Sequence, residues 1–454
     1  MNTNLVRKYN VPGPRYTSYP TVPYWNEVPP TEEEWKQHVK NAFQVADNSG
    51  EGLSLYLHLP FCEKLCTYCG CNKRITMNHK VEDPYITNLL QEWNLYLQLF
   101  GKKPLIKEVH LGGGTPTFFS PANLQKLMDG LFEGAIVAPD AEMSFEGHPN
   151  NTTRNHLQTL YNIGFRRVSF GIQDFDPEVQ RVINRIQPLE NVERVTREAR
   201  EIGYDSINYD LIYGLPKQTL ASIIRTIEIA NSLRPDRIAF YSYAHVPWTS
   251  PGQRGYSEAD LPRDEEKRAL YEEGKKMFEA AGYVEIGMDH FALKTDKLYA
   301  ASQKAQLHRN FMGYSSSGTR FVLGLGASAI SDTWTAFGQN LKKVETYRAA
   351  VESGRFPIFR GHLLNREDLV LRQHILNLMC RFQTNWKEEE GKTFALVEAK
   401  DRLKELAQDQ LLVLEEDSVQ VRESGKPFIR NICMALDARL WRNKPETQIF
   451  SSTI

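Results

Sequence analysis

Between residues 53 and 245, short β-prone runs alternate with longer amphipathic stretches, and that rhythm admits few architectures. The runs fall at 53–59, 108–111, 142–146, 167–171, 206–212 and 237–241. Amphipathic spacers such as 85–100 and 190–202 lie between them. Strands alternating with helices predict a parallel sheet with right-handed crossovers. Six such units fall short of a closed eight-stranded barrel. The expected fold is therefore α/β, a partial (β/α)6 TIM-like barrel with an open side. In this architecture chemistry gathers at the carboxyl ends of the strands.

Cys62, Cys66 and Cys69 follow the first run at the spacing Cys-x3-Cys-x2-Cys, with Cys71 close behind. Three thiolates can hold three irons of a [4Fe–4S] cluster and leave the fourth iron open to a ligand. Zinc is the competing reading, but structural zinc sites use paired Cys-x2-Cys groups. Only His58 and His79 stand near enough in sequence to complete such a set. Cys380 and Cys433 lie in apolar helical surroundings and read as small buried hydrophobes. After the second run comes Gly112-Gly113-Gly114-Thr115-Pro116-Thr117, where backbone can approach a ligand closely. It lacks the lysine of a P-loop and the spacing of a dinucleotide fingerprint. Glu146 ends the third run, a place from which a carboxylate can take ribose hydroxyls. Gln173 follows the fourth, Asp210 lies late in the fifth, and Tyr243-Ala244-His245 follows the sixth. All of these fall on one predicted rim.

The 454-residue chain is too long for the barrel alone. We expect an N-terminal arm at 1–40 over the active site, the barrel with a substrate-side extension at 41–362, and a mostly helical domain at 363–454. The arm carries Pro12, Pro14, Pro20 and Pro23, which exclude a continuous helix. In the last domain, helical segments near 367–380 and 394–410 precede two short strands within 411–421 and a helix from about 427, a winged-helix-like order. Its mixed charge offers no recognition stripe for DNA. A net charge of −1 and a pI near 6.8 give no global field for nucleic acid or anionic membrane. No apolar run reaches the ~20 residues of a membrane span, and the N-terminus lacks a signal-peptide apolar core. A cytoplasmic monomer is expected.

The cysteine spacing, with Tyr68 before the last ligand, resembles the radical S-adenosylmethionine (SAM) enzymes. A closer resemblance runs through six blocks: Pro14-Arg15-Tyr16-Thr17-Ser18-Tyr19-Pro20-Thr21, Cys69-Gly70-Cys71-Asn72-Lys73, Gly171-Ile172-Gln173-Asp174-Phe175, Asp210-Leu211-Ile212-Tyr213-Gly214-Leu215-Pro216, Gly287-Met288-Asp289-His290-Phe291 and His308-Arg309-Asn310-Phe311. Together they are similar to the oxygen-independent coproporphyrinogen III oxidases. The resemblance implies anaerobic oxidative decarboxylation of two propionates of coproporphyrinogen III to vinyls, giving protoporphyrinogen IX for haem biosynthesis. It implies that SAM binds the open iron and yields a 5′-deoxyadenosyl radical after one-electron cleavage.

The same resemblance implies a cluster on Cys62, Cys66 and Cys69 and two SAM molecules. Tyr56, Gly113, Glu146 and Ile330 would face the cluster-bound SAM. Tyr68, Gly114, Thr115, Gln173, Arg185, Asp210 and Ala244 would face the second. Tyr56 is also carried over as catalytic, and Cys71 is expected beside the substrate, assisting radical or proton chemistry. Arg15, Lys73, Arg74 and Arg309 are expected to meet the substrate carboxylates. An electron donor such as flavodoxin or ferredoxin is implied, with an unidentified acceptor. Relatives with the same cysteine motif carry haem instead; Cys71-Asn72-Lys73 and the Pro-Arg-Tyr-Thr block set this chain apart from them. The chain has Tyr68 where members often carry Phe, and Gly147-His148-Pro149 where Asp usually precedes the Pro.

Overall fold

A computed structural model describes residues 3–248, 250–387, 390, 393–447 and 449–453. Its centre is the expected parallel run: β1 (Leu53–Leu59), β2 (Leu105–Gly113), β3 (Ile136–Gly147), β4 (Arg167–Gln173), β5 (Ser206–Tyr213) and β6 (Arg237–Ser242), neighbours in that order. Helices Glu82–Phe100, Pro121–Glu133, Arg154–Ile163, Leu189–Ile202 and Leu220–Leu233 fill the crossovers.

The sheet is wider than the sequence rhythm indicates. β7 (Tyr283–Gly287) and β8 (His290–Leu293) extend it beyond β6. On the other side β9 (Val322–Leu325) runs parallel to β1, followed by an antiparallel meander of β10 (Ile330–Asp332), β11 (Ala336–Asn340) and β12 (Ile358–Leu363). The result is one twelve-stranded open sheet ending at β12 and β7. Most of these added strands have three to five residues, too few to show a period of two in sequence.

Parallel strands buried on both faces usually read as continuous apolar runs. Here they alternate. In β1, Leu53, Leu55, Leu57 and Leu59 join the apolar core with the helices, and Ser54, Tyr56 and His58 alternate with them. The same alternation sets Glu108, His110 and Gly112 in register beside β1, and Glu146, Ser169, Asn208 and Arg237 in register farther round. The strand interior is therefore a polar lumen. Its amino-terminal end is closed by hydrogen bonds: Ser54 Oγ and Ser315 Oγ donate to Glu108 at 2.8 and 3.1 Å, and Ser316 Oγ to Glu142 at 2.8 Å. Arg167 Nη2 donates to Ser144 Oγ at 2.9 Å, and Arg237 pairs with Asp296 at 2.7 Å. The carboxyl end is left for ligands.

Glu92 fixes β9 and β11 to the barrel. Its carboxylate accepts from Gly326 N at 2.8 Å, Asn340 Nδ2 at 2.6 Å and Tyr347 Oη at 2.6 Å. Burial outweighs these bonds and raises its pKa from 4.5 to about 7. The folded chain therefore keeps a proton that the unfolded chain releases. This contribution is fully present below pH 4.5 and is lost as pH rises through about 7. Thermal melts across that window should show stability falling with pH, and Glu92→Gln should flatten the slope; an unchanged slope would refute the assignment.

The last module packs helices Arg366–Arg381, Phe394–Gln408 and Ile429–Leu436 against a three-stranded sheet. The sheet contains the two strands expected from sequence, Leu412–Leu414 and Ser418–Val421, and a third at Gln383–Asn385. Its core takes in Tyr16 and Tyr19 of the arm. Arg430 Nε donates to Pro14 O at 2.9 Å, Pro12 bridges Ser452, and Thr453 N donates to Val11 O at 2.9 Å. From this anchorage Arg15 reaches the end of β6, donating to Ser242 O at 2.6 Å. No helix among the described residues is long and apolar enough to cross a membrane.

Candidate active site

The cysteine loop leaves β1 and is clamped at its base and flank. Arg74 N donates to Pro60 O at 2.7 Å and Thr76 N to Cys62 O at 2.9 Å. Thr67 N reaches Ile183 O at 3.0 Å, and Asn184 Nδ2 reaches Leu65 O at 2.7 Å. Phe61 anchors the start of the loop among Tyr85, Phe118 and Phe119.

The glycine run lies against this loop. Gly114 N donates to Leu59 O at 2.9 Å and Thr115 N to Phe61 O at 3.0 Å. A Cβ at Gly114 would come 2.6 Å from the Pro60 backbone, and at Gly113, whose φ is +111°, a Cβ would come 2.7 Å from the His58 ring. These two glycines thus serve loop-to-loop approach as well as any ligand.

The loop, the glycine turn and the ends of β3, β4 and β5 enclose a cavity of about 370 Å3. Of the residues singled out in sequence, Cys62, Cys66, Tyr68, Cys69, Cys71, Lys73, Gly113, Gly114, Thr115, Glu146, Gln173, Arg185 and Asp210 line it. Tyr56 is not among its lining residues; it flanks Gly112 together with Glu146, since a Cβ on Gly112 would meet Tyr56 at 3.1 Å and Glu146 at 3.0 Å. Ile330 lies on β10, its carbonyl 2.5 Å from where a Gly324 Cβ would be, and Gly324 is the partner of Tyr56 in register. Ala244 stands beyond β6 with its carbonyl held by Gln253 at 3.2 Å. Arg74 is on the outer surface, paired with Glu345 at 2.7 Å. Arg15 and Arg309 are not among its lining residues, but their charges act on Tyr241, a lining residue that sequence reasoning left without a role.

The three thiols differ in setting. Cys62 Sγ is 3.4 Å from Thr115 Oγ1, and burial pushes its pKa up to about 11. Cys66 Sγ accepts from Arg185 Nη1 at 3.5 Å. A hydrogen bond from Cys71, helped by Lys73, lowers Cys69 to about 6, and the same bond raises Cys71. Cys71 and Cys69 thus influence each other's ionisation, a link that the spacing did not indicate. Glu146 accepts from Gly113 N at 3.3 Å and from His110 Nε2 at 3.4 Å, with its side chain 43% exposed to the cavity side. Asp210 accepts from Ser169 and Asn208 at 2.9 Å each, and burial, then Glu146, raises it to about 6. Gln173 takes φ +69°, a strained setting for a non-glycine residue at a site. His148 is held neutral by burial and by Arg185 and Lys64, and its Nδ1 accepts from Asn150 N at 3.1 Å.

The donor set fits an iron–sulfur cluster with a polar ligand beside it. Three thiols from one loop line one cavity. Among the described residues the Arg185 Nε–H is buried without a partner at the same wall, a donor awaiting an anion. The zinc alternative finds no support: His58 Nε2 donates to Asn72 O at 2.8 Å and its Nδ1 accepts from Tyr56 Oη at 3.1 Å, while His79 pairs with Glu82 and stacks on Phe118. Among the described residues no three His, Cys, Asp or Glu side chains converge as one ion requires.

The model of the radical SAM superfamily matches residues 56–230. The oxygen-independent coproporphyrinogen III oxidase of Salmonella typhimurium is 40% identical, covering 99% of this chain and 98% of that protein. The protein of that name from Helicobacter pylori is 38% identical over 95% of each. The solved coproporphyrinogen III oxidase of Escherichia coli, described as a radical SAM enzyme, superposes with a TM-score of 0.87 at 38% identity, covering 93% of this chain and 97% of that one.

Proposed function

The chain belongs to the family of oxygen-independent coproporphyrinogen III oxidases, and we propose on that basis that it converts coproporphyrinogen III to protoporphyrinogen IX without oxygen. It is a radical SAM oxidoreductase of haem biosynthesis that uses a [4Fe–4S] cluster and SAM. Each of two propionates loses one hydrogen atom from its β-carbon, then CO2 and one electron, and becomes a vinyl. The observation that carries the reading is the single cavity that joins Cys62, Cys66 and Cys69 to Glu146, Arg185 and Asp210.

When bound, the cluster and SAM supply a 5′-deoxyadenosyl radical able to take hydrogen from an unactivated carbon. The protein's own groups bind and orient. Cys62, Cys66 and Cys69 would hold the cluster. Glu146, already fixed by Gly113 N–H, offers its remaining lone pairs to ribose hydroxyls of one SAM. Tyr56, Gly113 and Ile330 complete that side. Arg185 and Asp210 take a carboxylate and an amine of a second SAM, beside Tyr68, Gly114, Thr115, Gln173 and Ala244. Arg309 Nε–H and Nη1–H are buried without partners among the described residues, and with Arg15 they offer charge to a substrate carboxylate. Lys73 adds a cation at the loop. Arg74 serves better on the outer surface, given its pair with Glu345. Residues 1–40 form the covering arm, 41–362 the barrel and 363–454 the closing domain. The protein works as a cytoplasmic monomer, fed by a flavodoxin or ferredoxin and drained by an acceptor of unassigned identity.

Asp210 provides a pH test. Its proton is taken up as pH falls through about 6, which removes the anionic partner of the SAM amine. SAM affinity measured by equilibrium dialysis should drop about tenfold below that point, and Asp210→Asn should be weak and flat with pH. A wild-type profile with no acid limb would discount the contact. The decisive experiment incubates reconstituted protein anaerobically with coproporphyrinogen III, SAM, reductant and an electron acceptor. Protoporphyrinogen IX and 5′-deoxyadenosine should appear together. Absence of both would place the chain with its haem-carrying relatives.

A further inference from the structure

We propose that a basic groove on the outer side of the cysteine loop docks a small acidic protein that delivers single electrons to the cluster, an inference that rests on the family reading above. The groove, about 410 Å3, is lined by Asn72, Lys73, Arg74, Lys342, Lys343 and Glu345 among others. Four cations there face one carboxylate, and that carboxylate is already engaged by Arg74 at 2.7 Å. Lys342 and Lys343 are exposed and have no ion-pair partner among the described residues. On a chain of net charge −1 this is a local concentration of positive potential. Next along the chain from Arg74, Ile75 and Met77 are 41% and 80% exposed, apolar surface of the kind that interfaces use beside a charged rim.

The position argues for electrons rather than for another anion. Asn72 Nδ2 donates to Lys342 O at 2.9 Å, and Lys73 Nζ donates to Cys69 O at 2.9 Å. The groove is thus joined by hydrogen bonds to the backbone of a cluster ligand. Lys73 lines both the groove and the cavity, so the cysteine loop is the partition between them. A folded carrier cannot enter a cavity of about 370 Å3, and substrate held there leaves the groove free. In each transfer the reduced carrier loses one electron and the cluster gains it, with no bond or proton exchanged. The carrier is a reduced flavin or iron–sulfur protein whose negative surface meets these lysines. Four cations in one short groove are too few to track a nucleic-acid backbone.

The test is the double variant Lys342→Glu with Lys343→Glu, with flavodoxin as the probe. Calorimetry at low salt, using oxidised flavodoxin and cluster-free protein, should show affinity about tenfold weaker than wild type, with a smaller salt dependence. With reconstituted enzyme and reduced flavodoxin, the KM for flavodoxin in 5′-deoxyadenosine formation should rise similarly. Dithionite-driven formation should stay at the wild-type rate. Wild-type affinity in the variant would overturn the proposal, and so would equal loss with dithionite and flavodoxin, which would mean a merely structural role. Should wild-type enzyme make no 5′-deoxyadenosine even with dithionite, the family reading fails, while the binding comparison still decides the groove.

Discussion

Cys66→Ser is expected to leave a folded protein without a stable cluster and without turnover. The loop does not depend on the Cys66 side chain for its shape: backbone bonds from Arg74 to Pro60 and from Thr76 to Cys62 close its base, and Phe61 is wedged among three aromatic rings. The melting temperature should therefore hardly move. Iron binding should fail, because a serine oxygen replaces one of only three thiolates and Arg185 loses its sulfur acceptor at 3.5 Å. Iron and sulfide analysis after anaerobic reconstitution checks this, together with 5′-deoxyadenosine formation. Cys71→Ser is the internal control. It changes the electrostatic setting of the Cys69 sulfur but removes no ligand, so iron content should stay at the wild-type level. Full iron in Cys66→Ser, or iron loss in Cys71→Ser as severe as in Cys66→Ser, would reverse the assignment.

Gly114→Ala is expected to lower kcat by about 10²-fold. An alanine methyl would lie 2.6 Å from the Pro60 carbonyl carbon and oxygen and 2.8 Å from Phe61 O. Those atoms are backbone and cannot rotate away. Relief requires the glycine turn and the cysteine loop to separate by roughly 1 Å, a displacement of the size that costs such factors at a reacting centre. Gly101→Ala makes a fair comparison, since its Cβ would meet nothing within 4 Å and its φ of +71° carries the backbone strain alone. Single-turnover 5′-deoxyadenosine formation separates the two. Equal rates in Gly114→Ala and Gly101→Ala would show that the close approach is not what the turn needs.

Much of the site was legible because parallel β/α folds send chemistry to one rim. Each strand end carried a distinctive residue, and thirteen of the residues singled out line the cavity. What stayed hidden has physical reasons. Tyr241 reads as one more aromatic strand residue, and only the alternation with buried Ile238 and Phe240 marks its face as the lumen side. That alternation was present in β1 as well, where Ser54, Tyr56 and His58 interrupt four leucines. Arg74 and Lys73 are adjacent in sequence and both line the groove, yet only Lys73 also lines the cavity, a distinction set by the turn and not by residue type. β9 was missed because four residues, Val322–Leu325, gain their strand character from pairing with β1 and not from a pattern of their own.

The stitching of the arm to the last module bears on how the protein is made. Arg430 holds the carbonyl of Pro14, and Ser452 and Thr453 pair with Pro12 and Val11. During synthesis the barrel emerges well before those partners, so the barrel can form while the arm still has nothing to grip. Arg15 reaches Ser242 only once the arm is anchored. The arm therefore takes its place against β6 after the barrel has formed, and Arg430, Ser452 and Thr453 set the order of that assembly.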